Sequence, residues 1–136
     1  MIAAVCIEDR GGMCFCGRRV SRDKAQQADL LAWCAERVLW MSGKSAALFA
    51  EADREIRTDE NFLDLAGDGE VCFVEDRPLL PVLNRLEQLV VYRWNRAYPS
   101  DRKLDLDLDR FVLTERTEFP GNSHETITRE IYERRD

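Results

Sequence analysis

The stretch Met1-Ile2-Ala3-Ala4-Val5-Cys6-Ile7, followed by Glu8-Asp9-Arg10-Gly11-Gly12, decides the fold class of this chain. A short apolar run bounded by charged residues and glycines is typical of a buried β-strand that ends in a turn. Strands that are apolar throughout lie inside parallel sheets, with helices covering both faces. We therefore expect this strand to occupy a central position in an α/β domain.

Helical and extended segments alternate along the chain, which predicts parallel strands joined by helices. Apolar spacing predicts a first helix over 22–37, with Ser21 as its N-cap. The other predicted elements are a strand over 38–41, a helix over 45–52, a brief strand at Ile56, a helix over 60–66, a strand over 71–74, a helix over 80–86 and a strand over 88–94.

The last third of the chain has the pattern of antiparallel strands. Leucine and aspartate alternate over 104–109, which predicts an extended segment with one solvated face. Two strands, over 111–117 and 126–132, are predicted to form a hairpin around Pro120-Gly121-Asn122. The complete pattern predicts an α/β fold, in which a mixed, mostly parallel sheet is flanked by helices and ends in an antiparallel hairpin, as a single domain over 1–136.

Composition limits the partners of the protein. The formal net charge of -6 disfavours nucleic acid and anionic membrane surfaces, which require clustered lysine and arginine. No apolar run approaches the roughly 20 residues of a membrane span, and the first residues lack a signal-peptide pattern, so we expect a cytoplasmic protein. The five cysteines include no C-x-x-C pair, which predicts free thiols; Cys14 and Cys16 are expected on one side of an extended segment, without enough ligands for a metal.

Three candidate functional sites are excluded by the residues at or around them. Gly43-Lys44-Ser45 is not a P-loop, because Val38 stands where that loop requires glycine. The aspartates at 105, 107 and 109 resemble the start of a calcium loop, but Arg110 and Arg116 occupy its glycine and glutamate positions. His124 is the only histidine and is predicted to be an exposed hairpin residue, so no metal site is predicted.

Several short segments occur in the order found in one known family. They are Met1-Ile2-Ala3-Ala4-Val5, Asp9-Arg10-Gly11-Gly12-Met13, Ala28-Asp29-Leu30, Val38-Leu39-Trp40-Met41, Asn122-Ser123-His124-Glu125 and Ile131-Tyr132-Glu133-Arg134-Arg135. Together they span most of the chain, and the chain resembles a shortened dihydrofolate reductase. The resemblance implies that Asp29 is the acid that hydrogen-bonds a pterin ring and that Trp33, one helical turn later, packs on that ring. The alternative is a surface acid beside a core tryptophan.

Departures from the family pattern fall on the side of its nicotinamide cofactor. The family follows its central strand with glycines, whereas this chain has Glu75-Asp76-Arg77, whose carboxylates repel phosphates. Val20-Ser21 replaces the expected Pro-Trp step, and the stretch between Phe49 and Ile56 is too short for the segment that grips the adenosine phosphate. Arg93 stands where a threonine supports the acid and is expected to form an ion pair with Asp29. No cofactor is predicted.

These observations favour a non-reductase protein that binds a small heterocyclic ligand or a protein partner, with Asp29, Trp33 and Arg93 at its site. The first alternative is a divergent pterin-type or folate-type reductase that uses NADPH and Asp29 as proton donor. The second alternative is a structural or interaction protein. Similar small bacterial proteins sometimes carry the label ribonuclease Z, but a single histidine and a net negative charge argue against a dinuclear metal nuclease.

Overall fold

A computed structural model describes residues 1–135 of the chain. Its main sheet has seven strands in the order β5-β4-β6-β1-β7-β10-β9, and a small second sheet has the order β3-β2-β8. The strands are β1 (Ile2–Ile7), β2 (Gly12–Phe15), β3 (Arg18–Arg19), β4 (Leu39–Met41), β5 (Arg57–Thr58), β6 (Val71–Phe73), β7 (Gln88–Arg93), β8 (Arg102–Lys103), β9 (Phe111–Pro120) and β10 (Thr126–Arg134).

The central position predicted for the first strand is confirmed. β1 lies between β6 and β7 and is parallel to both, with Ala3 opposite Cys72 on one side and Leu89 on the other. Side chains of β1 contribute to both hydrophobic clusters, one on each face of the sheet. The uninterrupted apolar sequence of β1 follows from this burial on both faces.

The predicted hairpin is also confirmed. β9 and β10 are antiparallel over nine residue pairs from Thr126 opposite Pro120 to Arg134 opposite Phe111, with an irregularity between Ile131 and Tyr132. β10 also pairs with β7 in the antiparallel direction, so the sheet is mixed and mostly parallel. The α/β fold predicted from the sequence is therefore confirmed.

The first helix, α1, is shorter than predicted and has a different cap. It spans Lys24–Trp33, and Asp23 rather than Ser21 is its N-cap residue, accepting a hydrogen bond of 2.8 Å from the backbone N–H of Ala25. Both residues have side chains suited to capping, so their order alone did not decide between them. Ser21 instead points toward the last hairpin, as described below.

The other helices are short. α2 (Gly43–Ala46) begins after Ser42, which caps it, and continues as a 3₁₀ turn over Ala47–Phe49. α3 (Phe62–Leu65) lies within the predicted range, whereas the helix predicted over 80–86 is a 3₁₀ helix over Leu80–Arg85. None of these helices is longer than two turns, so the helices are fixed chiefly by packing on the sheet.

Two predictions of extended structure are wrong. Over 104–109, alternation does not produce a strand. The Asp105 carboxylate accepts hydrogen bonds from the backbone N–H groups of Leu79 and Leu80, and the segment is a loop that leads into a 3₁₀ turn over Leu108–Arg110. Cys14 and Cys16 do not share one side of a strand: Cys14 is buried in β2, whereas Cys16 is exposed in the following turn with φ of 50°. Among the described residues 1–135, no helix is long and apolar enough to cross a membrane.

Candidate functional site

Asp29 lies on α1 above the sheet, and groups of the protein itself surround its carboxylate. The Tyr92 hydroxyl donates a hydrogen bond of 2.7 Å to Oδ2, and Nη1 of Arg129 lies 2.9 Å from Oδ1 and 2.8 Å from Oδ2. Tyr92 is fully buried on β7, and Arg129 lies directly opposite it on β10. Opposite residues of antiparallel strands project from the same face, so both reach the same acid.

The environment of Tyr92 keeps its hydroxyl protonated, so that it acts as a hydrogen-bond donor. Burial raises the pKa of the Tyr92 phenol far above its usual range, and the negative charge of Asp29 and its hydrogen bond raise that pKa further. The two oxygens of Asp29 thus have one neutral donor and one cationic donor from the chain. A new ligand that contacted this carboxylate would compete with Tyr92 and Arg129.

Arg93 does not form the ion pair predicted for it. It follows Tyr92 on β7, so it projects from the opposite face of the sheet. Nε of Arg93 lies 2.6 Å from Oε1 of Glu130, which also accepts a hydrogen bond of 2.8 Å from the Tyr132 hydroxyl. The prediction of an Arg93–Asp29 pair was wrong because a single sequence does not show which strand neighbour shares a face with the acid.

Trp33 lies one turn after Asp29 at the end of α1 and is half-buried against the hydrophobic cluster on that face. The guanidinium carbon of Arg37 lies 5.1 Å from the centre of its ring, a cation–π distance. Its ring therefore has a partner within the chain. The role of Trp33 in contacting a ligand stays a prediction.

Glu75 lies where the family resemblance predicts glycine, and two residues hold it there. Nε and Nη2 of Arg19 lie 2.8 Å and 3.0 Å from its two carboxylate oxygens, and the Ser45 hydroxyl donates a hydrogen bond of 2.7 Å to Oε1. Burial raises the pKa of the nearby Cys6 thiol well above its usual value, and the negative charge of Glu75 adds to this effect. Arg19 from β3 and Ser45 from α2 thus converge on the carboxylate of Glu75, which follows β6.

Three adjoining cavities form a groove along α1, which we call the α1 groove. The first cavity, of about 460 Å³, is lined by Arg18, Arg19, Ser21, Arg22 and Lys44. The second, of about 400 Å³, shares Arg22 with the first. The third, of about 450 Å³, shares Lys24, Gln27, Ala47 and Leu48 with the second.

The two ends of the α1 groove differ in chemistry. Every charged residue that lines the first cavity is basic, and of these Arg19 is neutralised by Glu75. The third cavity has apolar residues on both sides, from α1 and from the segment after α2, and the charged Lys24 and Glu51 also line it; the apolar residues are Ala28, Leu31, Leu48, Phe49 and Ala52. The cationic end was missed from the sequence, although Arg18-Arg19-Val20-Ser21-Arg22 is the densest basic stretch before α1.

The prediction that His124 is exposed was wrong. Its side chain is buried, its ring stacks on Trp94 with centroids 4.6 Å apart, and its Nδ1 lies 2.9 Å from Oδ2 of Asp23. Asp23 also accepts hydrogen bonds from the backbone N–H groups of Asn122, Ser123 and His124. The hairpin turn is therefore fastened to the start of α1. The contact between Asp23 and His124 joins positions far apart in the sequence, so no local sequence pattern predicts it.

Asp23 remains a strong acceptor in this environment. Burial opposes its ionisation, but the hydrogen bonds from the Asn122 N–H and from the His124 ring outweigh burial and hold the pKa of Asp23 far below its usual range. No group of three or more histidine, cysteine, aspartate or glutamate residues within 1–135 is arranged to hold a metal ion.

No family model matches the sequence, and no curated protein matches it. Among solved structures, the chain is similar to dihydrofolate reductase from Enterococcus faecalis complexed with NADP(H) and RAB-propyl, with a TM-score of 0.64 and 13% sequence identity. The similarity covers 100% of this chain and 97% of that chain. At this identity the similarity shows the fold and not the activity. The chain therefore has a dihydrofolate reductase-like fold, with a sequence that has diverged far from that enzyme.

Proposed function

We propose that this protein is a non-reductase that binds a small heterocyclic ligand with an anionic group in the α1 groove. The observation that carries the proposal is the succession of three neighbouring cavities along one helix, from a cationic end to an end with apolar residues on both sides; the first two share Arg22, and the last two share four lining residues. Ligand pockets typically combine apolar walls with a few polar groups that fix orientation. Protein side chains supply both parts here.

The apolar end suits a flat ring. Leu31 of α1 and Leu48 and Phe49 after α2 line opposite sides of it, and the Gln27 side chain lies between this end and the centre of the groove. At the other end Arg18, Arg22 and Lys44 provide positive charge for a carboxylate or a phosphate. Although the whole chain is acidic, the local charge at this end of the groove favours an anion.

Two contacts disfavour hydride transfer on this scaffold. Glu75 carries a negative charge near the cationic end and forms an ion pair with Arg19. One fewer cation is therefore available to bind a phosphate group there. Asp29, the acid that the resemblance assigns to the pterin, already receives hydrogen bonds from Tyr92 and Arg129. A reductase that used this site would have to break both arrangements.

The test is a thermal-shift titration with folate, dihydrofolate, NADPH and NADH. Folate and dihydrofolate carry a heterocycle and a carboxylate tail, so they are the probes that match the groove. We expect either of them to raise the melting temperature, since a ligand that binds only the folded state stabilises it. Arg22→Gln, at the junction of the first two cavities, should abolish the shift.

The matched control is Arg102→Gln, which removes an equal charge from β8, outside the residues that line the groove. It should leave the shift unchanged. A clear shift with NADPH would contradict the loss of cofactor binding and favour the reductase. No shift with any of the four compounds would contradict small-ligand binding and leave a protein partner as the leading function.

A further inference from the structure

A serine, a histidine and an aspartate meet where the cationic end of the α1 groove reaches the last hairpin. The Ser21 hydroxyl oxygen lies 3.2 Å from Nε2 of His124, and Nδ1 of the same ring lies 2.9 Å from Oδ2 of Asp23. A nucleophile within about 2.6–3.2 Å of a base, with the base oriented by a third group, is the arrangement that activates serine in unrelated folds.

The proton positions in this cluster suit a general base. Asp23 is buried, is held in its ionised form and can therefore only accept, so Nδ1 of His124 carries a proton and donates it to Asp23. In the neutral ring, Nε2 is then the acceptor, and it faces Ser21. The stacking of the ring on Trp94 and the bond to Asp23 together fix the imidazole plane.

Tyr98 occupies the acceptor site of the histidine. Its hydroxyl lies 2.7 Å from Nε2 of His124, closer than the Ser21 hydroxyl, and Ser21 donates a hydrogen bond of 3.2 Å to the tyrosine oxygen. Nη1 of Arg96 also lies 3.5 Å from that oxygen. A neutral ring nitrogen has one lone pair, so Tyr98 and Ser21 compete for it.

The surroundings of Ser21 define a substrate class. Ser21 is only partly buried and lines the cavity of about 460 Å³ whose charged residues are Arg18, Arg19, Arg22 and Lys44. Cations around a nucleophile attract an anionic substrate and stabilise the negative charge that develops on a carbonyl oxygen during attack. A carboxylic ester that carries an additional negative charge fits both requirements.

We propose that Ser21, His124 and Asp23 form a nucleophilic triad that hydrolyses anionic carboxylic esters, with Tyr98 restraining the base. Ser21 and His124 are the catalytic residues, and Asp23 is a positioning residue that acts through the imidazole. This inference rests on the proposed function only for the charge of the substrate, since it uses the cationic end of the same groove. The nucleophile itself is tested separately below.

The reaction is balanced without a cofactor. Ser21 Oγ attacks the carbonyl carbon while its proton passes to Nε2 of His124, directly once the Tyr98 hydroxyl moves aside. The tetrahedral oxyanion collapses, the ester C–O bond breaks, and the alcohol leaves with the proton from His124. Water then attacks the acyl carbon and passes a proton to His124. The bond between that carbon and Ser21 Oγ breaks, His124 returns the proton to Oγ, and the carboxylic acid leaves.

The experiment is labelling with a neutral fluorophosphonate probe, read by peptide mass spectrometry, on the full chain and three variants. We expect a label on Ser21 in the unmodified protein and none on that peptide in Ser21→Ala. Tyr98→Phe keeps the ring and removes the competing hydroxyl, so Ser21 should be labelled about tenfold faster, the equivalent of displacing one ordinary hydrogen bond. His124→Gln should abolish labelling while circular dichroism confirms its fold.

The outcomes separate a triad from a structural cluster. Absence of a label on Ser21 in both the unmodified protein and Tyr98→Phe overturns the proposal, as does labelling of Tyr98 instead of Ser21 or an equal rate in Tyr98→Phe. If His124→Gln does not fold, the labelling rate of Ser21 in Tyr98→Phe tests the proposal instead. Because the probe is neutral, this result is independent of folate binding in the α1 groove. A positive result is followed by hydrolysis of p-nitrophenyl acetate and mono-p-nitrophenyl succinate, with the anionic ester expected to react faster.

Discussion

Nη1 of Arg129 lies within 3 Å of both carboxylate oxygens of Asp29, 2.9 Å from Oδ1 and 2.8 Å from Oδ2. The pair joins α1 to β10 across 100 positions of sequence. A partly buried residue that the family resemblance assigns to a ligand is thus ion-paired within the chain.

Asp29→Asn should destabilise the protein by about 2 kcal/mol, because it removes the more buried of the two carboxylates that pair with the largely buried Arg129. The control is Glu115→Gln, which removes the half-exposed partner of the same arginine and should cost less than about 1 kcal/mol. Urea denaturation gives both values. An Asp29→Asn variant as stable as the unmodified protein would contradict a structural role and favour a role in binding.

The protein should lose stability in acid through Asp23. The folded state holds the pKa of this carboxyl far below its value in the unfolded chain, so the stabilisation is complete above about pH 5 and is lost as the pH falls toward the folded pKa. Asp23→Asn should remove about 2 kcal/mol at pH 7 and flatten the decline between about pH 5 and 2. The midpoints of urea unfolding, determined at several pH values in this range, measure the loss of stability.

Glu8 also contributes to the loss of stability in acid. It is buried, and although burial opposes its ionisation, hydrogen bonds from the backbone N–H groups of Arg10 and Gly12 lower its pKa. If the urea midpoint falls equally steeply with decreasing pH in Asp23→Asn and in the unmodified protein, the pKa of Asp23 is not lowered by its environment in the folded state.

Gly121→Ala should disrupt the fastening of the hairpin to α1. A Cβ at this position would lie 2.5 Å from the carbonyl oxygen of His124 and 2.9 Å from Oδ2 of Asp23, closer than real contacts allow. We expect a loss of about 2 kcal/mol or more, as for overpacked interior sites. Gly43→Ala is the control, because open space surrounds that position in α2, and it should be neutral or slightly stabilising. Thermal unfolding compares the two, and equal melting temperatures would be inconsistent with the crowding at Gly121.

Glu75→Gln should make Cys6 more reactive. The negative charge of Glu75 raises the pKa of this thiol beyond the effect of burial, whereas Arg19 lowers it, so removing the carboxylate charge leaves the cation to act alone. Alkylation by iodoacetamide at pH 8, followed by peptide mass spectrometry, should be several-fold faster at Cys6. Asp76→Asn removes the neighbouring carboxylate and should leave the Cys6 rate unchanged; an equal increase there would implicate net charge rather than Glu75.

The strands were predictable because burial on both faces leaves continuous apolar runs such as that of β1. The capping of α1 by Asp23 and the loop around Asp105 were not, because each aspartate is positioned by partners elsewhere in the chain. The same holds for the site. The family resemblance predicted a role for Asp29, which stays a prediction; its contact with Arg129 depends on strand register, which sequence periodicity does not give.

The position of β10 between β7 and β9 has a consequence for biosynthesis. Residues 1–125 contain every parallel strand of the main sheet, yet without the segment Thr126–Arg134 they leave the whole of β7 as an open edge. An unpaired apolar edge of this kind recruits other chains. The nascent protein is therefore aggregation-prone until that segment emerges from the ribosome, and translation products that end before it should be substrates for chaperones and proteases.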